Sequence, residues 1–173
     1  VGVIKDLATH DIDLTAWVAG SKFTSISART AHKSGRPHED LVAATGLLAN
    51  GIITSHLVNW LTPFKERLTI VTGERGTLVA DTLTADLTLY TNASVATQWD
   101  SVSAFRGVSE GEVVRYAFPK IEPLLVEHES FRDAVLGLPG ATEKIVTMEQ
   151  GLATVAVAQA MIESANQKVT INL

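Results

Sequence analysis

Asn50-Gly51 is the feature that most limits what this chain can fold into. It stands between two runs, residues 41–49 and 52–60, that are rich in apolar and β-branched side chains. Asn-Gly favours positive φ at both turn positions, so the pattern predicts an antiparallel hairpin with a two-residue turn. In the first run Val42, Ala44, Gly46 and Leu48 fall on one face, and Leu41, Ala43, Thr45 and Leu47 on the other. Both faces are largely apolar, so one is expected to carry helices and the other to meet a partner.

The rest of the chain arranges itself around that hairpin. Residues 3–19 read as a helix stopped by Gly20, with Val3, Leu7, Leu14 and Trp17 as its apolar stripe and His10 in the same row. Strands are expected at 23–31, 67–72, 77–80, 85–91 and 113–118; residues 73–76 form a turn, and 92–112 a polar loop. Ser34-Gly35-Arg36-Pro37 breaks the chain ahead of the hairpin. Leu124, His128, Phe131 and Val135 mark one late helix, ended by residues 137–140. Ile145, Met148, Leu152, Val155, Ala158 and Ile162 mark a longer one, whose alanines permit close packing. A short strand at 169–172 closes the chain. This order gives an α+β class: a mostly antiparallel, open-faced sheet with helices packed on one face.

Composition then removes whole classes of function. Among 173 residues there is no Cys, which excludes disulfides, Cys-ligated metal and a thiol nucleophile. Fourteen Lys and Arg against nineteen Asp and Glu give a net charge of −5, so no bulk positive field invites nucleic acid. No apolar run approaches the roughly eighteen residues of a bilayer span, so no membrane role is expected. Mean hydropathy of +0.18 is high for a chain with so few aromatics and points to apolar surface covered by a partner. The chain opens Val1-Gly2-Val3, without an initiator Met or a signal pattern, and reads as a piece of something longer, of cytoplasmic location. Neither G-x-G-x-x-G, a P-loop nor a G-x-S-x-G elbow occurs.

Chemistry concentrates on the first helix. Asp6, His10 and Asp13, at i, i+4 and i+7, are expected to share one face. A carboxylate beside an imidazole is a general acid/base arrangement; a helix-face ion pair and a carboxylate–imidazole metal site are the alternatives. His32 and His38, with Glu39 and Asp40, fit a solvated loop better than a metal site. His56 is expected in a core or interface, and His128 in helix packing. Residues 59–65 end a strand with an amide, the Trp60 plate, a hydroxyl and the Lys65 cation, a set suited to a sugar or phosphate ligand or to an ordinary strand end.

Asp6-Leu7-Ala8-Thr9-His10-Asp11-Ile12-Asp13-Leu14 resembles the D-L-x-x-H-D-I-D-L helix of the Gfo/Idh/MocA oxidoreductases, the glucose–fructose oxidoreductase and inositol dehydrogenase family. The likeness continues through V-T-G-E-x-G-T-L (71–78), E-x-x-x-F-x-D-A-V (127–135) and E-S-A (163–165), in that order. Asn166-Gln167 departs from the glycine many members carry before the last strand. With N-W-L-T-P-F-K, the wording resembles the sugar-nucleotide 3-dehydrogenase branch. The resemblance implies that residues 1–173 form one substrate-binding and oligomerisation domain, the C-terminal half of a two-domain enzyme. An N-terminal Rossmann domain with an E-K-P motif would bind NAD or NADP, and none would bind to this piece alone, which would be inactive. It implies catalytic roles for Asp6 and His10, substrate contacts for Trp60 and Lys65, and no metal. The substrate would be a sugar or sugar nucleotide, such as the 3-hydroxyl of a UDP-N-acetylhexosamine, and the open sheet face would form a homo-oligomer. A non-catalytic dimerisation or carbohydrate-binding domain is the alternative.

Overall fold

The structure, a computed structural model, describes residues 1–93 and 110–173. A π turn, Ile4–Ala8, leads into α1 (Thr9–Ala19), and then come β1 (Phe23–Ala31), β2 (Leu41–Leu48) and β3 (Ile53–Asn59). Next are β4 (Leu68–Gly73), β5 (Gly76–Asp81), β6 (Asp86–Asn92) and β7 (Glu110–Tyr116). Helix α2 (Pro123–Val135), a 3₁₀ turn (Ala141–Lys144), α3 (Met148–Gln167) and β8 (Ile171–Asn172) complete the chain. The class is α+β, as expected, but the strands form two four-stranded antiparallel sheets rather than one, in the orders β3-β2-β1-β8 and β4-β5-β6-β7. The chain divides into two compact units, Val1–Pro63 with Glu127–Leu173, and Phe64–Val126. Of the expected 92–112 loop, residues 94–109 lie outside the described residues, and its end is already strand β7.

In the first unit the Asn50-Gly51 hairpin forms in the expected phase: Val42, Ala44, Gly46 and Leu48 are buried while Ala43, Thr45 and Leu47 are exposed. Its turn differs. Leu47 pairs with Ile53, the Gly51 amide donates to the Leu48 carbonyl at 2.9 Å, and Gly51 takes φ +84° while Asn50 stays at negative φ. The loop is therefore a three-residue one closed by a left-handed glycine. Asn50 instead uses its side chain: Nδ2 donates to the Ala19 carbonyl at 3.2 Å and satisfies the end of α1.

The first helix is corrected more deeply. Its buried residues are Val3, Ile4, Ala8 and Ile12, whereas Trp17, expected in the stripe, is 73% exposed. The π turn explains the change, because its wider winding rotates the register of the helix beyond it by one residue. Helix α3 is corrected likewise. Its sheet-facing residues are Val157, Ala158, Ala160, Met161 and Ser164, and Met148, Leu152 and Val155 are exposed. Ala158 and Ala160 among the sheet-facing residues let the helix approach closely enough for Ser164 to reach β1. Beyond its short pairing with β8, the amide of Ala28 on β1 has no strand partner, and Ser164 Oγ accepts it at 2.9 Å. The stretch Ala141–Gln167 contains an 18-residue window of mean hydropathy 1.3, long and apolar enough to cross a membrane, contrary to the sequence expectation. In this fold its inner side packs on β1. Helix α2 buries none of its residues, so its Leu124, Phe131 and Val135 stripe stays exposed, and His128 with it.

The loop between β1 and β2 is closed by its acidic end. Asp40 is buried, and its Oδ2 accepts the amides of Lys33 and Ser34, both at 2.6 Å. The Asp40 carbonyl also accepts the Trp60 amide at 2.9 Å. Burial pushes the Asp40 carboxyl up, but the Ser34 and Lys33 amides, the Ser34 hydroxyl and nearby His32 outweigh it, and the group sits below its ordinary 3.8.

The second unit is a meander. The two-residue Glu74-Arg75 turn pairs Gly73 with Gly76, as the sequence suggests. Asp86 bonds Arg115 at 2.8 Å and Lys120 at 3.1 Å, and these partners hold its carboxyl far below the usual range.

This architecture makes two stability measurements informative. A Cβ at Gly46 would stand 2.7 Å from both Phe23 Cε1 and Thr54 Oγ1, so Gly46→Ala is expected to destabilise the protein by about 1–3 kcal/mol; an unchanged denaturant midpoint contradicts that packing. Because the Asp40 pKa is lowered by folding, its contribution is present at neutral pH and lost as pH falls below about 4. Asp40→Asn is expected to flatten the acid limb of a stability–pH curve; an acid limb identical to wild type contradicts the assigned role.

Candidate functional site

The π turn decides which carboxylates act together. In an α-helix Asp6, His10 and Asp13 would share a face, but a π turn aligns residues five apart, here Asp6 and Asp11. Both carboxylates meet β3 and the residue just beyond it. Trp60 Nε1 donates to Asp6 Oδ2 at 3.1 Å, and Asp11 Oδ2 lies 2.6 Å from His56 Nδ1. Trp60 and His56 are four apart on an extended chain, hence on one face. Asp13 belongs elsewhere: Thr154 Oγ1 on α3 donates to its Oδ1 at 3.3 Å. Asp6, His10 and Asp13 therefore share no hydrogen bond with one another, and among the described residues no three His, Asp or Glu side chains converge as a metal site.

His56 is the buried imidazole of this unit, only 3% exposed. Both ring nitrogens are partnered, Nδ1 with Asp11 and Nε2 with Thr54 Oγ1 at 2.9 Å, and Phe23 lies against the ring with centroids 5.8 Å apart. The Asp11–His56–Thr54 chain fixes α1 on β3. The packing expected of His56 is found, but its pairing with Asp11 depends on the π register, which no residue pattern announces. Thr54 is within reach of sequence reasoning, since it lies two residues from His56 on the same strand face.

His10 and Asp6 are both exposed, and no hydrogen bond joins them. Asp6 keeps Oδ1 free of the Trp60 contact. On the other side of the tryptophan stands Arg36 from the β1–β2 loop, its Cζ 5.0 Å from the centroid of the Trp60 ring. Sequence reasoning misses Arg36, because Ser34-Gly35-Arg36-Pro37 reads simply as a break. The amide of the 59–65 segment is spent locally, since Asn59 Oδ1 accepts from the Leu61 amide, the Thr62 amide and the Thr62 hydroxyl, each at 2.8 Å. Lys65 is exposed and falls in the second unit. His32 and His38 are exposed, as a solvated loop requires.

The site therefore offers an exposed imidazole on a helix clamped to a sheet, a carboxylate with one oxygen oriented by an indole, and an aromatic ring carrying a guanidinium. An accessible imidazole can exchange a proton with a bound hydroxyl near neutral pH, and a carboxylate oxygen can hold that hydroxyl.

Comparison with known proteins bears on the fold. Among solved structures, the chain is similar to UDP-N-acetylglucosamine 3-dehydrogenase GnnA from Acidithiobacillus ferrooxidans, with a TM-score of 0.76 and 19% identity over 95% of this chain and 49% of that one. It is similar to the WlbA dehydrogenase from Bordetella pertussis, solved with NADH and UDP-GlcNAcA, with a TM-score of 0.64 and 22% identity over 99% of this chain and 45% of that one. It is also similar to a super-repressor mutant of Gal80p from Saccharomyces cerevisiae, with a TM-score of 0.73 and 15% identity over 99% of this chain and 50% of that one. The chain thus spans about half the length of these structures. No curated protein matches it. The model of the oxidoreductase family's C-terminal alpha/beta domain (GFO_IDH_MocA_C) matches residues 1–173, and the chain belongs to that family.

Proposed function

We propose that this chain is the substrate-side half of an NAD(P)-dependent oxidoreductase that oxidises a secondary hydroxyl of a sugar or sugar nucleotide. The 3-hydroxyl of a UDP-N-acetylhexosamine is the substrate suggested by the likeness to the GnnA dehydrogenase. The observation that carries the reading is an exposed His10 on a helix held rigidly by Asp6–Trp60 and Asp11–His56.

In this reading an imidazole nitrogen of His10 takes the hydroxyl proton during oxidation and returns it in the reverse direction. Asp6 Oδ1 holds the same hydroxyl, while its Oδ2 stays on the indole. The Trp60 ring offers its uncovered surface to the apolar side of a sugar. The described residues do not fit a dinucleotide. Both sheets are antiparallel, so no strand–turn–helix of a parallel unit is present to cradle a pyrophosphate. The cofactor, whose nicotinamide is the hydride acceptor, would be bound by a Rossmann domain outside these residues, and the isolated chain would be inactive. Homo-oligomers would form through the open face of the first sheet, where Leu47, Ile53 and Leu57 are exposed. A cytoplasmic location completes the reading.

The likeness to the Gal80p super-repressor supports a second reading, a non-catalytic dimerisation or carbohydrate-binding domain. The two part on one experiment. In the full-length protein, His10→Ala is expected to lower kcat by about 10²- to 10⁴-fold while leaving nicotinamide affinity unchanged. Undiminished turnover removes His10 from the mechanism, and a wild-type protein without dehydrogenase activity on sugars or sugar nucleotides favours the second reading.

A further inference from the structure

The β1–β2 loop presents a positive surface on a chain of net charge −5. Its two carboxylates are drawn inward: Glu39 Oε1 accepts the Ile4 amide at 3.2 Å, and Asp40 Oδ2 accepts the Lys33 and Ser34 amides. Lys33 and Arg36 face solvent, with His32 and His38 beside them. Among the described residues neither Lys33 nor Arg36 has a carboxylate partner.

Arg36 is nonetheless placed, by its stack on Trp60. A guanidinium held over a ring face spends no N–H donor on that contact, so its in-plane fork remains available for two parallel bonds to an oxyanion. Asp6, bonded to the same indole, does not compete for that fork. The indole N–H lies in the ring plane, so Asp6 binds at the ring edge while Arg36 occupies the face. One tryptophan thus separates a hydroxyl-binding carboxylate from an anion-binding cation. The loop that holds the cation is anchored at both ends, through the Asp40 amide to Ala31 and the Glu39 carbonyl to the Val3 amide, each at 3.0 Å. Preorganisation of this kind lowers the ordering cost of binding.

We propose that Arg36 is the anion-reading residue of this site, which makes the substrate a negatively charged sugar whose oxyanion, a phosphate or a uronate carboxylate, docks on the guanidinium above Trp60. The assignment rests on the sugar-oxidising reading and deepens it. Lys33 adds general positive field, and Arg36 supplies the directed contact.

The test is calorimetric titration of the full-length protein, with NADH or NADPH already bound, using uridine diphosphate, glucuronate and glucose as probes. At least one anion is expected to bind tighter than glucose. Arg36→Met is expected to weaken that anion about 10- to 100-fold and leave glucose unchanged, with Arg36→Lys in between because it keeps charge but not the fork. Dependence on Arg36 for uridine diphosphate assigns the phosphate; dependence for glucuronate assigns the carboxylate. Anion binding no tighter than glucose, or equal in wild type and Arg36→Met, overturns the proposal. If Arg36→Met binds anions normally while His10→Ala abolishes turnover, this assignment alone fails. If anion binding depends on Arg36 but turnover ignores His10, the catalytic reading alone fails.

Discussion

One wide turn at the start of the chain sets the geometry on which the rest depends. The π winding of Ile4–Ala8 brings Asp6 and Asp11 into line, so that two carboxylates strap a helix to one strand and its end. Each strap removes an otherwise unpaired polar group. The Trp60 indole gains an acceptor, and the buried His56 ring gains a partner on each nitrogen. Leaving the buried His56 ring unpaired would cost about 1–3 kcal/mol, so the Asp11 strap favours this winding. His10, between the two strapped positions, is left exposed. Local departures of this kind are frequent at functional sites.

The layer behind the site is built for close approach. Ser164 on α3 accepts the Ala28 amide and donates to the Val169 carbonyl, which ties helix, sheet and closing strand through one hydroxyl. The alanines around it let the helix come near enough for that bond. Gly46 plays the same part within the sheet, where Phe23 and Thr54 fill the space a side chain would take. Thr54 then supports His56, so the packing around Gly46 and the orientation of α1 are linked on one face of the sheet.

Much of the fold is legible in the residues because period-2 alternation needs no tertiary information: the faces of β2, the Asn50-Gly51 hairpin and the Gly73–Gly76 turn all lie where the pattern puts them. The helices are less legible. Of the residues expected to line α2 and α3, Leu124, Phe131, Val135, Leu152 and Val155 are exposed, while Val157, Ala158, Ala160, Met161 and Ser164 face the sheet. In the site, Asp6 and Trp60 stand out separately in the sequence and prove to be bonded, whereas Asp11, Thr54 and Arg36 do not stand out at all. Asp11 becomes visible only once the helical winding is known, and Arg36 only once the loop is folded back over the tryptophan. The stripe of α1 is misread because regular helical spacing does not hold across a π turn.

The central claim is that the strapped helix presents His10 to the reacting hydroxyl of a sugar. The most direct measurement is a crystal structure of the full-length protein with nicotinamide cofactor and a bound sugar nucleotide. The account predicts an imidazole nitrogen of His10 within about 2.6–3.2 Å of the hydroxyl whose carbon faces the nicotinamide. A sugar bound with that hydroxyl against another residue, and His10 open to solvent, contradicts it.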